Sequence, residues 1–199
     1  MRLVIERGEL LRALGHVTSV VERRTTIPIL SNVLLKASGQ ALELKATDLE
    51  REVIEEVRAE VAQPGAVTVP AHILHDIVRK LPEGCEVQLT GDAQNWTITG
   101  GRSKFRIPCL PASDFPAMGR SDMPASFSLP AETVARMIDT VSFAISSEET
   151  RYYLNGIHWH RLDVDSVAQL VAVATDGHRL ARFAVALPEG TDVPPVIVP

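Results

Sequence analysis

The feature that most constrains this sequence is an internal repeat, in which residues 3–47 and 127–175 follow the same pattern. Three pairs of stretches carry the match in the same order along the chain: Ile29–Leu35 with Tyr153–Trp159, Ala46–Asp48 with Ala174–Asp176, and Val67–Pro70 with Val196–Pro199. The additional residues of the second copy fall in the polar stretch 163–166, where a hairpin loop can absorb them. A repeat of this kind predicts two related structural units.

Both units are predicted to combine helices with strands. Apolar residues at helical spacing predict three helices: residues 8–22, Ile73–Leu81 and Val134–Val141. Apolar and polar residues alternate in four stretches, which predicts strands around Leu42–Thr47, Val87–Leu89, Trp96–Ile98 and Phe105–Ile107. Alternating strands with one polar face indicate antiparallel sheets that are covered by helices on the other face. The predicted fold class is therefore α+β.

The stretch Pro108–Pro124 is rich in Pro, Gly, Ser and Asp and reads as a connector. It separates a first unit, residues 1–122, with two helices and about seven strands, from a second unit, residues 125–199. The second unit contains the first half of the plan and stops where the first copy enters its second helix. We therefore expect the chain to be part of a longer protein.

Composition excludes an overall basic coat, because 20 Lys and Arg stand against 25 Asp and Glu, a formal net charge of −5. Charge is nevertheless uneven along the chain. Residues 1–24 carry five Arg against three Glu, whereas residues 43–60 carry three basic side chains against seven acidic ones. A positive helical layer and a negative sheet layer are predicted, an arrangement that suits a phosphate backbone approached from one side.

Localisation signals are absent from the sequence itself. The two cysteines, Cys85 and Cys109, make neither a disulfide framework nor a metal knuckle. The N-terminus carries charges where a signal peptide has an apolar run, and no stretch approaches the ~18 apolar residues of a membrane span. A cytoplasmic protein is expected.

The chain has only two tyrosines, Tyr152 and Tyr153, and they are adjacent. The preceding stretch, residues 146–150, corresponds to residues 22–26 of the first copy. If the pair begins a strand, one ring is buried and the other faces outward. A packing role and a contact with a linear polymer both remain open on this evidence.

Five collinear motifs carry a family resemblance: Arg23–Asn32, Ala46–Glu50, Leu110–Pro116, Arg151–Gly156 and Ala174–Leu180. Together they resemble the bacterial DNA polymerase III beta subunits, the replicative sliding clamps, over the whole chain. The resemblance implies three modules per chain and a head-to-tail homodimer that encircles duplex DNA, with helices lining the hole and sheets outside. Residues 1–122 would be the first clamp module and residues 125–199 an incomplete second one. The third, ring-closing module is absent, so this chain is expected to be monomeric or to associate non-natively.

The resemblance also implies two kinds of site and no catalytic activity, cofactor or metal. Sequence-independent contacts with double-stranded DNA are implied at Arg24, His72, Glu148, Tyr152 and Tyr153. A docking site for short apolar-aromatic motifs of polymerase subunits, the clamp loader and repair proteins is implied at Leu154, Thr175, Gly177, His178, Arg179 and Leu180. Part of that docking site belongs to the third module, so weak peptide binding is expected for these 199 residues.

Two other classes of function stay open from the residues alone. One is a protein-interaction scaffold without a DNA role. The other is a metal enzyme, since His158 and His160 share a strand face and His178 could be a third zinc ligand. Against an enzyme, the sequence contains neither a G-x-S-x-G elbow nor a phosphate-binding glycine loop.

Overall fold

A computed structural model describes residues 1–22, 25–91, 95–117, 126–188 and 190–199, with the backbone alone at Glu149. The chain divides into two compact units, residues 1–119 and 120–199. Each has an apolar core of its own and antiparallel sheets with helices, so the predicted α+β class is confirmed. No described helix combines the length and apolarity that crossing a membrane requires.

The described part of the first unit contains two α-helices and nine strands. The helices are α1 (Arg7–Val17) and α2 (Ala71–Lys80). The strands are β1 (Arg2–Glu6), β2 (Asn32–Ser38), β3 (Ala41–Thr47), β4 (Glu52–Arg58), β5 (Glu60–Gln63), β6 (Gly65–Pro70), β7 (Glu86–Gly91), β8 (Asn95–Gly100) and β9 (Ser103–Pro108). They form two antiparallel sheets, in the orders β5-β1-β7-β8-β9 and β4-β3-β2-β6.

The first unit exceeds the about seven strands predicted, and one additional strand arises because one extended stretch is shared between its two sheets. β4 pairs with β3, whereas β5 begins two residues after β4 ends and pairs with β1 in the other sheet. Buried Ala59 lies between them. The sequence pattern does not reveal such a change of partner.

Helix α1 is shorter than the predicted 8–22. It ends at Val17 and continues as a 3₁₀ turn over Thr18–Val20. The Thr18 hydroxyl donates a hydrogen bond to the Leu14 carbonyl at 2.7 Å, which satisfies a carbonyl in the last turn of the helix. Val21 remains buried even though it lies beyond the helix, because the chain folds back onto the core.

The buried face of α2 is narrower than the apolar pattern predicted. Ala71, Leu74 and Val78 are fully buried, while Ile73 is 51% exposed. Neighbouring residues of an α-helix point about 100° apart, so Ile73 lies beside the buried stripe. The helix α3 (Ala131–Val141) of the second unit shows the same effect: Met137 is fully buried, and Ile138 is exposed.

The described part of the second unit contains α3 and four strands. These strands are β10 (Ile157–Val164), β11 (Val167–Thr175), β12 (Leu180–Ala186) and β13 (Val196–Val198). They form one antiparallel sheet in the order β12-β11-β10-β13. Met137 and Val141 of α3 share a core with Leu170, Ala172 and Ala174 of β11.

The internal repeat is confirmed by strand order and pairing. The sheet order β4-β3-β2-β6 of the first unit corresponds strand for strand to β12-β11-β10-β13 of the second. The register agrees as well: Val33 pairs with Val69, and their counterparts Ile157 and Val198 pair with each other. The two copies therefore build the same hairpins from the same positions.

Candidate nucleic-acid and peptide interfaces

Tyr152 and Tyr153 lie in the segment Glu149–Leu154, which precedes β10 and consists of 3₁₀ turns that meet at a kink at Arg151 (φ −110°, ψ 53°). The base of this loop is closed by a backbone hydrogen bond from the Ser146 amide to the Leu154 carbonyl at 3.0 Å. The segment is therefore held at its two ends, with the tyrosines between them.

Both tyrosine rings face outward. Tyr152 is 78% exposed and Tyr153 55% exposed, and the rings meet edge to face with centroids 5.7 Å apart. The expectation of one buried and one outward ring is wrong, because a 3₁₀ segment turns about 120° per residue and does not alternate like a strand. Each phenol can donate a hydrogen bond to a phosphate oxygen without reading a base.

Glu148 does not stand beside the tyrosines as a free negative charge. Its carboxylate accepts from Arg151, at 2.8 Å from Nε and at 3.2 Å from a terminal nitrogen. The bidentate pair neutralises the carboxylate. An anionic polymer beside Tyr152 and Tyr153 therefore meets an ion pair at this position.

His72 lies in the first turn of α2, with Nε2 2.9 Å from the Val21 carbonyl oxygen. A carbonyl only accepts, so Nε2 carries the hydrogen in this bond. The ring is thus bonded to the chain shortly before Arg24. Arg24, predicted to contact DNA, lies outside the described residues.

Most basic side chains of α1 have partners within the described residues. Arg7 donates from Nε to the Val78 carbonyl at 3.1 Å and from a terminal nitrogen to the Arg79 carbonyl at 2.7 Å, which ties the start of α1 to the end of α2. Two further pairs are Arg12 with Glu9 at 3.2 Å and His16 with Glu55 at 2.7 Å. Of these side chains, Arg12 has its charge offset by a carboxylate, whereas Arg7 bonds neutral carbonyls and keeps its charge.

The positive bias also does not extend to the second unit. Helix α3 carries one base, Arg136, and two acids, Glu132 and Asp139. Arg136 places its guanidinium carbon 5.3 Å from the centroid of the Phe183 ring. The positive charge predicted from residues 1–24 therefore has no counterpart in α3.

The turn between β11 and β12 is built by Thr175 and Asp176. The Thr175 hydroxyl accepts from the Gly177 amide at 3.1 Å and donates to the Arg179 carbonyl at 2.7 Å. One oxygen of Asp176 accepts from the amides of His178 and Arg179, both at 3.0 Å, and the other from Arg179 Nε at 2.9 Å. The two amide bonds, with the Arg179 side chain, lower the pKa of Asp176 to about 2.

Gly177 is the point at which this turn approaches the tyrosine loop. Its φ is +91°, and a Cβ added there would lie 3.1 Å from a terminal nitrogen of Arg151. Arg151 also pairs with Glu148. The structure therefore brings the predicted DNA-contacting loop and the predicted peptide-docking turn together at Arg151.

The remaining peptide-site residues predicted from the sequence lie around this turn. Leu180 starts β12 and is 65% exposed, and His178 and Arg179 are also exposed. Leu154 ends the 3₁₀ segment that carries Arg151 and is half-buried. An exposed backbone with a glycine, leucines and cationic side chains can receive a short peptide.

Comparison with known proteins decides the family. Residues 1–119 match the model of the DNA polymerase III beta subunit N-terminal domain, and residues 128–199 match the model of its central domain. The chain belongs to the DNA polymerase III beta subunit family. The resemblance inferred from the five motifs is confirmed.

Similar members of this family are named beta sliding clamps. The chain is 52% identical over 202 residues to that of Caulobacter vibrioides (strain NA1000 / CB15N), covering 100% of the chain and 54% of the relative. It is 39% identical over 200 residues to that of Escherichia coli (strain K12), again covering 100% of the chain and 54% of the relative. The chain thus spans about half the length of the curated relatives it matches.

Solved structures show the same fold. The C. crescentus beta sliding clamp gives a TM-score of 0.94 at 52% identity, covering 100% of this chain and 54% of that one. The Bartonella birtlesii DnaN sliding clamp bound to griselimycin gives 0.96 at 47% identity, with 100% and 54% covered.

The first unit of this beta-subunit chain contains the same turn without glycine. Thr47 donates to the Arg51 carbonyl at 2.8 Å and accepts from the Leu49 amide at 2.9 Å. Asp48 accepts from the amides of Glu50 and Arg51 at 3.0 and 2.7 Å. Leu49 stands at the position of Gly177, with φ at +77°. A cavity of about 180 Å³ adjoins this turn, lined by Val20, Glu22, Thr25, Ile27, Leu30, Thr47, Asp48 and Leu49.

The histidines that raised the possibility of zinc form a stack. The rings of His158 and His160 lie 4.7 Å apart at 21°. Burial lowers the pKa of His160, and the charges of His158 and Arg182 lower it further. The described residues contain no group of three or more His, Cys, Asp or Glu side chains placed to hold a metal ion.

Phe143, beside the predicted peptide-docking turn, was not among the site residues predicted from the sequence. Phe143 is 58% exposed, and the guanidinium carbon of Arg179 lies 5.5 Å from the centroid of its ring. The repeat gave no hint of it, because Ser19 occupies the corresponding position in the first unit.

Proposed function

We propose that this chain contributes to a DNA sliding clamp, an accessory protein that encircles duplex DNA and tethers the replicative polymerase without catalysing a reaction. The observation that carries the proposal is the collinear match of both units to successive domains of the DNA polymerase III beta subunit. Relatives over the full chain are named beta sliding clamps. The function belongs to the cytoplasm, where bacterial DNA is replicated.

Ring closure requires more chain than these 199 residues, because they cover 54% of the relatives. The full-length protein, meaning this sequence together with the C-terminal part its relatives have, acts as a homodimeric ring in this proposal. Retention then comes from enclosure. Contacts with the enclosed duplex can be weak and independent of sequence, as phosphate contacts are.

The proposed DNA contacts are made by Arg24, His72, Tyr152 and Tyr153, with Glu148 at the edge of the tyrosine loop. Both tyrosines are exposed, and the negative charge of Glu148 is balanced by Arg151. His72 contributes through its position beside Val21, to whose carbonyl oxygen its Nε2 donates. Uncharged phenols favour sliding because they hold phosphates less strongly than guanidinium groups do.

The proposed peptide site is the turn at Thr175, Gly177, His178 and Arg179 with the flanking leucines, Leu154 and Leu180. The partners are short linear motifs of polymerase subunits, the clamp loader and repair proteins. The sliding clamp of B. birtlesii, 47% identical to this chain, has been solved bound to griselimycin. That likeness supports peptide binding by this chain, with griselimycin as a probe.

Charge reversal at Arg24 and loss of the phenols separate the two activities. In the full-length protein, Arg24→Glu and the double change Tyr152→Ser with Tyr153→Ser are expected to reduce retention on closed circular DNA and to leave griselimycin affinity unchanged. Leu180→Ala is the matched opposite, expected to weaken griselimycin binding and to leave DNA retention unchanged.

Co-elution with circular DNA and calorimetric titration with griselimycin measure the two activities. Equal loss of both in every variant would indicate misfolding in place of separate sites. Unchanged retention in the tyrosine and Arg24 variants would remove these residues from the DNA contact.

A further inference from the structure

The exposed ring of Phe143 lies beside an arginine of the proposed peptide site. Phe143 belongs to the 3₁₀ turn Ser142–Ala144 that follows α3. The guanidinium carbon of Arg179 is 5.5 Å from the ring centroid, within the ~6 Å at which a cation is attracted to an aromatic face. The apolar ring of Phe143 is 58% exposed to solvent. Its place beside Arg179 suggests a role in the proposed peptide site.

The first unit provides a natural comparison, because it has the same turn without the aromatic ring. There Arg51 donates to one oxygen of Asp48 twice, from Nε at 3.0 Å and from a terminal nitrogen at 2.7 Å. In the second unit Arg179 donates to Asp176 from Nε alone, at 2.9 Å. Within the described residues, the terminal nitrogens of Arg179 make no hydrogen bond.

We propose that Phe143 is a positioning residue that holds the Arg179 guanidinium over its ring, so that the terminal nitrogens stay available to oxygen atoms of a docked peptide. The inference rests on the proposed peptide site and extends it by one residue. Phe143 supplies a face for the cation, Asp176 fixes Nε, and the outer edge of the guanidinium is left for the ligand.

This arrangement reduces the entropy that a peptide must overcome on binding. A free arginine side chain samples many rotamers, and fixing such a side chain at an interface opposes association. Arg179 is held from two sides before the peptide arrives. Its planar fork then meets carbonyl or carboxylate oxygens with donors already oriented.

The first test is spectroscopic and needs no peptide. The ring current of Phe143 is expected to shift the Arg179 side-chain proton resonances in the 199-residue chain, and Phe143→Leu is expected to abolish that shift. Phe183→Leu is the matched control, since Phe183 lies under Arg136 at 5.3 Å in the same unit. It is expected to move the Arg136 resonances and leave those of Arg179 in place. Arg179 side-chain chemical shifts that do not change in Phe143→Leu would overturn the proposal.

The second test is affinity for griselimycin in the full-length protein. Phe143→Leu is expected to weaken binding about two- to fivefold, the ~0.5–1 kcal/mol of an exposed cation–π contact. Phe143→Tyr, which keeps an aromatic ring, should bind griselimycin as tightly as the unaltered protein, and so should Phe183→Leu. Adding Phe143→Leu to Arg179→Met should cost nothing further, because the ring acts through the guanidinium.

The outcomes separate this inference from the proposed function. Unchanged affinity in Phe143→Leu, or a further loss on the Arg179→Met background, would contradict a positioning role. If the unaltered full-length protein does not bind griselimycin, the proposed peptide site is contradicted. The spectroscopic test would still show whether the Phe143 ring holds the Arg179 side chain.

Discussion

Gly177 and Leu49 occupy the same place in two equivalent turns, both with positive φ, +91° and +77°. Only Gly177 adopts this conformation without strain. Leu49 tolerates it inside a turn held by Thr47, Asp48 and Arg51. The second unit differs because Gly177 has no side chain and a terminal nitrogen of Arg151 lies against its backbone.

Gly177→Ala is expected to lower the free energy of unfolding by about 1 kcal/mol, because alanine is strained at positive φ, and to weaken griselimycin binding in the full-length protein. Gly39→Ala is the matched control: Gly39 also has positive φ, at +59°, but with open space around it. The control should show a similar stability loss in urea without a binding loss. Equal affinity for griselimycin in the two variants would exclude Gly177 from the proposed peptide site.

His160 should make the stability of the second unit dependent on pH. Burial, His158 and Arg182 lower its pKa in the folded state, so the unfolded chain binds the proton more readily. This contribution is complete above the ordinary pKa near ~6.5 and is lost as pH falls below it. Urea midpoints of the second unit should therefore fall from pH 7 to pH 5, and His160→Gln should flatten the change. An equal slope in the variant would contradict this.

For individual residues, the sequence predicts local structure where the internal repeat supplies a matching position in the other unit. The Thr-Asp turn is such a case, since Ala46–Asp48 and Ala174–Asp176 match. The outward direction of both tyrosines and the His72 bond to the Val21 carbonyl were not predictable. Both depend on local backbone geometry or on a contact between residues far apart in sequence.

Among the elements, the closing strand of each sheet packs differently in the two copies. In the first unit, buried Asn32 donates to the Thr68 hydroxyl at 3.0 Å. In the second unit Gly156 replaces the asparagine, and a Cβ there would lie 2.6 Å from the Val198 carbonyl oxygen and 2.8 Å from a methyl group of Ile197. The Asn32–Thr68 hydrogen bond of the first unit is thus replaced in the second unit by a close approach of the backbone at Gly156 to β13.

Gly156→Ala is therefore expected to displace β13 from β10, at a cost of about 1–3 kcal/mol for overpacking. Hydrogen exchange should show faster exchange of the amides that pair β10 with β13 and little change in the first unit. Gly15→Ala in α1, where nothing lies within 4 Å of the added Cβ, should instead stabilise its unit by ~0.5–1 kcal/mol. Unchanged β13 amides in Gly156→Ala would contradict the packing described.

The alternation of buried and exposed residues along strands was accessible from the sequence, because a period of two reports it directly. The buried faces of α2 and α3 were predicted too wide. Fully buried Leu42, Leu44 and Ala46 of β3 follow the predicted alternation. The division of one extended stretch into β4 and β5 was not accessible. Strand pairing is decided by tertiary partners, which a period of two does not identify.

For the whole molecule, charge argues against retention by affinity alone. The chain has a formal net charge of −5, and Arg12 of α1 is already paired with Glu9. Electrostatic binding grows with the number of phosphates neutralised, and a net negative charge opposes it. In the function proposed above, enclosure by the full-length ring tolerates weak contacts.

The measurement that tests encirclement most directly compares retention of the protein on circular and on linear DNA. The full-length protein is loaded on a nicked circular plasmid, isolated with it by gel filtration, and one half of the sample is linearised with a restriction enzyme. Enclosure predicts that the protein stays with the circle and leaves the linear DNA through its ends. Equal retention on both forms would show that binding, and not encirclement, holds the protein on DNA.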